Sequence, residues 1–137
     1  SFPTRRSSDL LSVPHRQPLG FPMQARKPNA TITATVKLPS GEMRALENDG
    51  ALIPKGSTIV YRVNCGPVKD GRVKWQVTNT GDEAMRVCRR GGFEIPNIEK
   101  TSRREETAYT GKHYVQCFVI RRGYCVRWSN PFFINVE

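Results

Sequence analysis

The stretch from Thr107 to Ile120, TAYTGKHYVQCFVI, restricts the fold of this chain more than any other. Successive side chains on a strand point to opposite faces. Val115, Cys117 and Val119 therefore share one face, and Tyr114, Gln116, Phe118 and Ile120 share the other. Apolar residues on both faces predict a central strand covered on two sides, which a layered fold supplies. Thr110-Gly111 precedes it, and glycine permits a turn or a close approach that a larger residue would block. The polar and aromatic segment Thr107–His113 reads as a mouth held on a rigid strand, one half of a small-ligand site.

From Ala30 onward the strand signal recurs. Ile32, Ala34, Val36 and Leu38 alternate with Thr31, Thr33, Thr35 and Lys37, which predicts a strand with one buried face. Ile59, Tyr61 and Val63 repeat the pattern, as do Val73, Trp75 and Val77, with Lys74, Gln76 and Thr78 facing the other way. Pro39-Ser-Gly41, Lys55-Gly-Ser57 and Asn79-Thr-Gly81 carry turn chemistry. Arg121-Arg-Gly123 predicts a hairpin into Tyr124–Trp128, and Asn130-Pro131 breaks the chain before a last strand, Phe132–Val136. Met43–Leu52 reads as a short strand or loop, Ala84–Ile95 as a basic, flexible loop, and Asn97–Glu106 as a charged loop. About seven strands without a long helix predict an all-β fold, an antiparallel immunoglobulin-like β-sandwich.

With 137 residues the chain can enclose one core. No apolar run approaches the roughly 20 residues of a membrane helix, and no hydrophobic stretch follows Arg5-Arg6 as in a signal peptide. Both point to a cytoplasmic protein without a membrane partner. The net charge is +10, and residues 30–137 keep 17 basic against 11 acidic side chains. That excess is compatible with a phosphate-bearing partner. Cys65, Cys88, Cys117 and Cys125 form no Cys-x-x-Cys pair, and neither His15 nor His113 completes a metal cluster. They read as structural thiols, with no metal and no cofactor, although Cys65 and Cys117 flank Trp75 as an antibody-type disulfide would.

Ser1–Leu10, SFPTRRSSDL, matches the conceptual translation of a widely used sequencing adapter over all ten residues. The expectation is a foreign segment 1–10 fused to a chain whose own N-terminal part lies further upstream. Residues 11–29 carry Pro14, Pro18, Pro22 and Pro28, too closely spaced for a helix or a central strand. They read as an extended linker tethering an upstream domain, on which Leu19, Phe21 and Met23 could dock, and residues 30–137 as the sandwich.

Catalytic motifs are lacking: there is no Gly-x-Ser-x-Gly elbow, no phosphate-cradling Walker loop and no paired-histidine metal motif. Glu105 and Glu106 are adjacent on an extended chain, point apart and read as solvated charges. Binding chemistry is better represented. Trp75, Phe93 and Tyr109 are candidates to stack on a base, although Trp75 on an apolar strand face reads first as core. Arg90, Arg104 and Lys112 are candidates for phosphates, and Gln76, Asn79, Thr110 and His113 for base edges or ribose. These side chains gather at glycine-containing strand ends.

Four blocks, Trp75-Gln-Val-Thr-Asn-Thr-Gly81, Arg90-Gly-Gly-Phe93, Tyr109-Thr-Gly-Lys-His-Tyr-Val-Gln-Cys-Phe-Val-Ile120 and Cys125-Val with Pro131-Phe-Phe-Ile-Asn-Val136, carry a resemblance. In that order they resemble the adenylyl/guanylyl and SMODS C-terminal sensor domain, from about Ala30 to Glu137. The proline-rich approach from His15 to Pro22 is similar too. The resemblance implies a non-catalytic sensor module that follows a second-messenger nucleotidyltransferase in bacterial anti-phage and conflict systems. Its partners would be a nucleotide or oligonucleotide and the upstream nucleotidyltransferase domain of the same chain. It assigns ligand binding to Trp75, Gln76, Asn79, Arg90, Gly91, Phe93, Tyr109, Thr110 and His113. Cys88-Arg89 and the Arg103–Glu106 run depart from the pattern. The alternative is an immunoglobulin-like protein-interaction module without a nucleotide ligand.

Overall fold

A computed structural model of the chain describes residue 13 and residues 15–87 and 91–137, without the side chains of 84, 85 and 87. Segment 1–10, read as foreign, lies outside the described residues. Ten strands and one short helix follow in order: β1 (Thr31–Lys37), β2 (Met43–Leu46), β3 (Leu52–Ile53), β4 (Thr58–Asn64), β5 (Arg72–Asn79), α1 (Asp82–Val87), β6 (Phe93–Glu94), β7 (Ser102–Glu106), β8 (Gly111–Arg121), β9 (Tyr124–Trp128) and β10 (Phe132–Val136). They form two sheets, β2-β1-β4-β7 and β3-β10-β8-β5-β6, with β9 added beside β8. All pairings are antiparallel except β3 with β10. The fold is all-β, as the alternation predicts, but the described strands number ten and not seven.

The additional strands have physical reasons that periodicity does not show. β3 and β6 are two residues long and exist because a neighbour supplies the ladder. β7, SRREE, corrects the expected loop over 97–106: it pairs with β4 from Thr58↔Glu106 to Arg62↔Ser102. Its inward charges neutralise one another. Arg103 Nε donates to Glu105 Oε2 at 2.7 Å and its Nη2 to Glu94 Oε1 at 2.9 Å, while Arg104 and Glu106 face water. Glu105 is thus a largely covered ion-pair partner and not a solvated charge. The expected flexible loop over 84–95 is corrected at both ends: residues 84–87 belong to α1 and Phe93–Glu94 form β6.

The pairing of β5 with β8 is the longest in the β8 sheet, eight residue pairs from Arg72↔Ile120 to Asn79↔His113. Toward the β1-β4-β7 sheet these strands present Trp75, Val77, Val115 and Cys117, which meet Ile32, Val36, Ile59 and Tyr61 in the main core. Trp75 is wholly buried, and its ring lies 6.3 Å from that of Tyr61. Burying such a ring contributes roughly 1.5–3 kcal/mol. Cys65, Cys117 and Cys125 are free thiols, and burial pushes the Cys117 thiol well above its ordinary range. The β8–β9 hairpin forms where Arg121-Arg-Gly predicts it, with Arg121↔Tyr124 closing a two-residue turn. Both turn residues have positive φ, 51° at Arg122 and 82° at Gly123, the type I′ geometry that suits strand twist.

The outer face of β5 and β8 is covered as well, by residues 15–30. This strap is extended, as its prolines require. Its first part crosses the sheet: Gln17 N donates to Gly91 O, the Gln76 side-chain amide to both Gln17 O and Gly91 O at 2.7 Å, and Arg16 Nη2 to Gln116 Oε1 at 2.9 Å. Leu19 packs against the cluster of Phe118, Ile120 and Cys125, while Phe21 and Met23 stay exposed. Its second part follows the free edge of β9, with Gln24 N to Cys125 O, Cys125 N to Pro22 O and Trp128 Nε1 to Ala25 O, all at 2.9 Å. An open strand edge is thereby capped. Gly91 fixes the crossing, because a Cβ there would lie 2.5 Å from His15 O. Gly91→Ala should lift the strap and lower unfolding free energy by about 1–3 kcal/mol, the usual cost of overpacking. Hydrogen exchange checks this: the Gln17 and Gln24 amides should lose protection while β8 keeps its own.

Candidate functional site

The β5–β8 ladder ends at Asn79↔His113, and the segments around that end form the mouth. A pair of glycines lets them touch. Gly111 has φ +118°, and a Cβ there would overlap the Thr80 carbonyl oxygen; Gly81 has φ +99°, and its Cβ would sit 3.0 Å from Thr110 O. L-residues rarely adopt either conformation, so both positions demand glycine sterically and torsionally. Thr80 N and Thr80 Oγ1 both donate to Lys112 O at 2.9 Å, which locks the crossing.

Directly after Gly81 the chain turns into α1, whose first turn carries Asp82 and Glu83. Glu83 ties the mouth together. Its Oε1 accepts from Thr110 N at 3.1 Å and lies 2.8 Å from Lys55 Nζ, and Lys55 also donates to Oε2 at 2.9 Å. The Lys55 hydrogen bond and then the Thr110 amide hold the Glu83 carboxyl below the usual carboxylate range. On the other side Thr107 is buried. Its Oγ1 donates to Pro54 O at 2.9 Å and accepts from Ser57 N at 2.9 Å. His113, also buried, donates from Nε2 to Tyr109 O at 2.7 Å, so its ring braces the mouth backbone from within. Asn79, Tyr109 and His113 line a cavity of about 80 Å³ between the sheets, together with Tyr61 and Glu105. Burial, and secondarily Glu105, push the Tyr61 phenol above its ordinary range. A volume of that size holds water and not a nucleotide, for which ligand pockets run to roughly 300 Å³ or more.

The nine predicted binding residues fall into separate groups. Asn79, Tyr109, Thr110 and His113 meet at the mouth, with Tyr109 and Thr110 partly exposed. Gln76, Gly91 and Phe93 lie on the outer face, where Gln76 and Gly91 grip the strap and Phe93 packs edge-on to Phe118 at 5.7 Å. Trp75 points the opposite way from Gln76, into the core. Arg90 lies outside the described residues, as do Cys88 and Arg89. Of the further phosphate candidates, Arg104 is exposed on β7, and Lys112 sits 5.8 Å above the Phe133 ring. Sequence reading did not single out Lys55 and Glu83 for the mouth, nor His15, Arg16 and Gln17 for the outer face. The signal for Glu83 was available: two acids straight after a glycine turn mark a helix start. Among the described residues, no group of three or more His, Cys, Asp or Glu could hold a metal ion, and no helix is long and apolar enough to cross a membrane.

The family model of the adenylyl/guanylyl and SMODS C-terminal sensor domain matches residues 11–137, strap included. The chain belongs to that family. No curated protein matches it. The sensor domain is therefore matched from the strap through to β10, and the strap and the sandwich form one matched unit. Within it Gly111→Ala should destabilise by about 1–3 kcal/mol, the range for a residue forced into a sparsely populated backbone region, read by urea unfolding. The ion pair gives a second check. Because the folded Glu83 value is lowered, its contribution to stability is present above the ordinary carboxylate range and lost as pH falls through the lowered value. Lys55→Ala should move the Glu83 carboxyl titration, followed by NMR, upward; an unmoved midpoint would show that the pair does not form in solution.

Proposed function

We propose that this sensor domain recognises a nucleotide or oligonucleotide at the mouth and reports its occupancy to a nucleotidyltransferase domain of the same chain. In this reading the module is non-catalytic and works in the bacterial cytoplasm in anti-phage or conflict signalling. Tyr109, Thr110 and Arg90 meet the ligand, the ring stacking on a base and the guanidinium pairing with phosphate. Asn79 and His113 shape the mouth from behind, Gln76, Gly91 and Phe93 carry the response, and Trp75 anchors the scaffold. The order β1-β4-β7 facing β5-β8-β10 supports taking the sandwich as immunoglobulin-like.

The observation that carries the reading is the meeting at Gly91. Its carbonyl oxygen accepts from the strap at Gln17 and from the central β5 strand at Gln76, one residue beyond Arg90. A phosphate held by Arg90 would act through the neighbouring Gly91 carbonyl on the strap, the segment that leads toward the N-terminus. Calorimetry against mono-, di- and cyclic nucleotides tests it, with heat expected from at least one member. Arg90→Ala should weaken that binding by roughly 1.5–3 kcal/mol, and unchanged affinity would remove Arg90 from the site.

A second reading, a protein-interaction module, is favoured by one feature. At the end opposite the mouth, Val68, Val73, Ile95, Ile98 and Val119 line a largely apolar groove of about 970 Å³, with Ile95 72% exposed. It predicts association that salt does not weaken.

A further inference from the structure

The β8–β9 hairpin closes the end of the sandwich opposite the mouth, and none of the described candidates for nucleotide binding lies there. Two hollows flank it. Arg72, Lys74 and Arg122 line one of about 360 Å³ together with the exposed ring of Phe21. Lys69, Arg121 and Arg127 line the other, of about 400 Å³. Each hollow has the volume of a small-ligand pocket. Among the residues lining the two, Asp70 is the single acid, so six cations face one carboxylate.

No carboxylate lies within ion-pair distance of any of the six among the described residues. Arg127 donates to the neutral carbonyls of Cys65 and Val126, which leaves its charge uncompensated. The buried Nε of Arg121 has no hydrogen-bond partner among the described residues. Arg122 is unusual in a second way. It takes the first central position of a type I′ turn with φ +51°, where Asn, Asp or Gly fits without strain. An exposed arginine held there at a conformational cost is the kind of outlier that points to function. Tyr124, 52% exposed, adds a second ring beside the turn.

We infer that this hairpin end binds a single-stranded phosphodiester chain, whose phosphates run between the two cationic hollows while bases stack on Phe21 and Tyr124. Alternating cations and aromatic rings along concave ground is how sequence-tolerant single-strand sites are built. A flat cationic face would suit an anionic membrane equally well, but here the charges line hollows. The inference rests on the sensor reading for the identity of the anion, and it locates a contact that the mouth does not provide. A chain bound here would also touch the strap through Phe21, next to the residues that cap β9.

The test is fluorescence anisotropy of the full chain with a labelled oligothymidylate of about twelve residues, which spans a typical single-strand site. Binding should weaken with salt. The triple variant Arg72→Gln, Lys74→Gln, Arg122→Asn should lose about tenfold or more in affinity, with a log–log salt slope shallower by about 2, as three lost phosphate contacts require. Arg122→Asn alone should bind more weakly yet melt no lower than the parent, because it relieves the turn; equal affinity would remove Arg122 from the site. Tyr109→Ala serves as the mouth control. Oligonucleotide binding that falls with Tyr109→Ala and ignores the triple variant would overturn the hairpin site and leave the mouth reading standing. No binding of the oligonucleotide at low salt overturns the hairpin site, whatever calorimetry with mononucleotides gives. Sedimentation with phosphatidylserine vesicles but no oligonucleotide binding overturns it in favour of a membrane.

Discussion

Covering β8 on both faces is the constraint on which the rest of the structure depends. The strand presents Val115 and Cys117 to one side and Tyr114, Gln116, Phe118 and Ile120 to the other, and all of them are buried. The second sheet covers the first side with apolar residues in the ordinary way. On the second side there is no sheet, and the strap of residues 15–30 takes its place. The centre of that face is polar: Gln76 and Gln116 are direct cross-strand partners. A buried amide left unpartnered costs about 1–3 kcal/mol, so these two glutamines need what the strap brings. Gln76 donates to two carbonyls, and Gln116 accepts from Arg16 and donates to Ser129 O. The same glutamines tolerate water. The strap is held over a surface that can be wetted at its centre and is apolar toward the hairpin, where Leu19 sits.

The two ends of the sandwich are built on opposite electrostatic plans. At the mouth, polar groups answer one another within the protein: Glu83 with Lys55 and Thr110, Thr107 with Pro54 and Ser57, His113 with Tyr109. The glycine crossing at Gly81 and Gly111 leaves little room inside, which is why the cavity behind the mouth stays near 80 Å³. At the hairpin end the cations lining the two hollows outnumber the acids, and Arg127 donates to neutral carbonyls. Steric closure is thus concentrated at one end and uncompensated charge at the other, with the β5–β8 ladder spanning the distance between them.

What the sequence makes legible is whatever depends on a residue's immediate neighbours. Alternation names the inward residues of β1, β4 and β5 correctly, and Arg121-Arg-Gly places the hairpin, since side-chain period and turn chemistry are local properties. The Thr110-Gly111 step was readable as a close approach, though not which chain it approaches. What escapes is set by partners distant in sequence. SRREE shows no strand pattern, because its inward side chains are charged; only Glu94, from another strand, completes the Arg103 pairing that makes them tolerable there. Gln76 reads as an outward polar residue and is buried, since the segment that covers it lies 59 residues away. The candidate site suffers the same limit. Three motif blocks adjacent to strand ends read as one surface, whereas strand pleating sends Trp75 into the core and Gln76 to the opposite face, under the strap.

The strap itself is held with little to spare. Arg16 is partly buried, and the desolvation lowers its pKa, yet its guanidinium finds one neutral acceptor, Gln116 Oε1, among the described residues, and its Nε finds none. Withdrawing a charge from water against a single neutral partner opposes docking. What favours docking is the burial of Leu19, the backbone bonds at Gln17, Gln24 and Cys125, and the Trp128 indole bond to Ala25 O. Each such hydrogen bond contributes about 0.5–1.5 kcal/mol net. These contributions oppose one another, and a perturbation at Gly91 or along β9 acts on the side that holds the strap down. The sandwich beneath, with Trp75 and Tyr61 in the core between its two sheets, does not depend on it to the same degree. The covering segment is thus held by a handful of bonds and one apolar side chain, whereas the core is closed by two packed sheets, an asymmetry that suits a sensor domain.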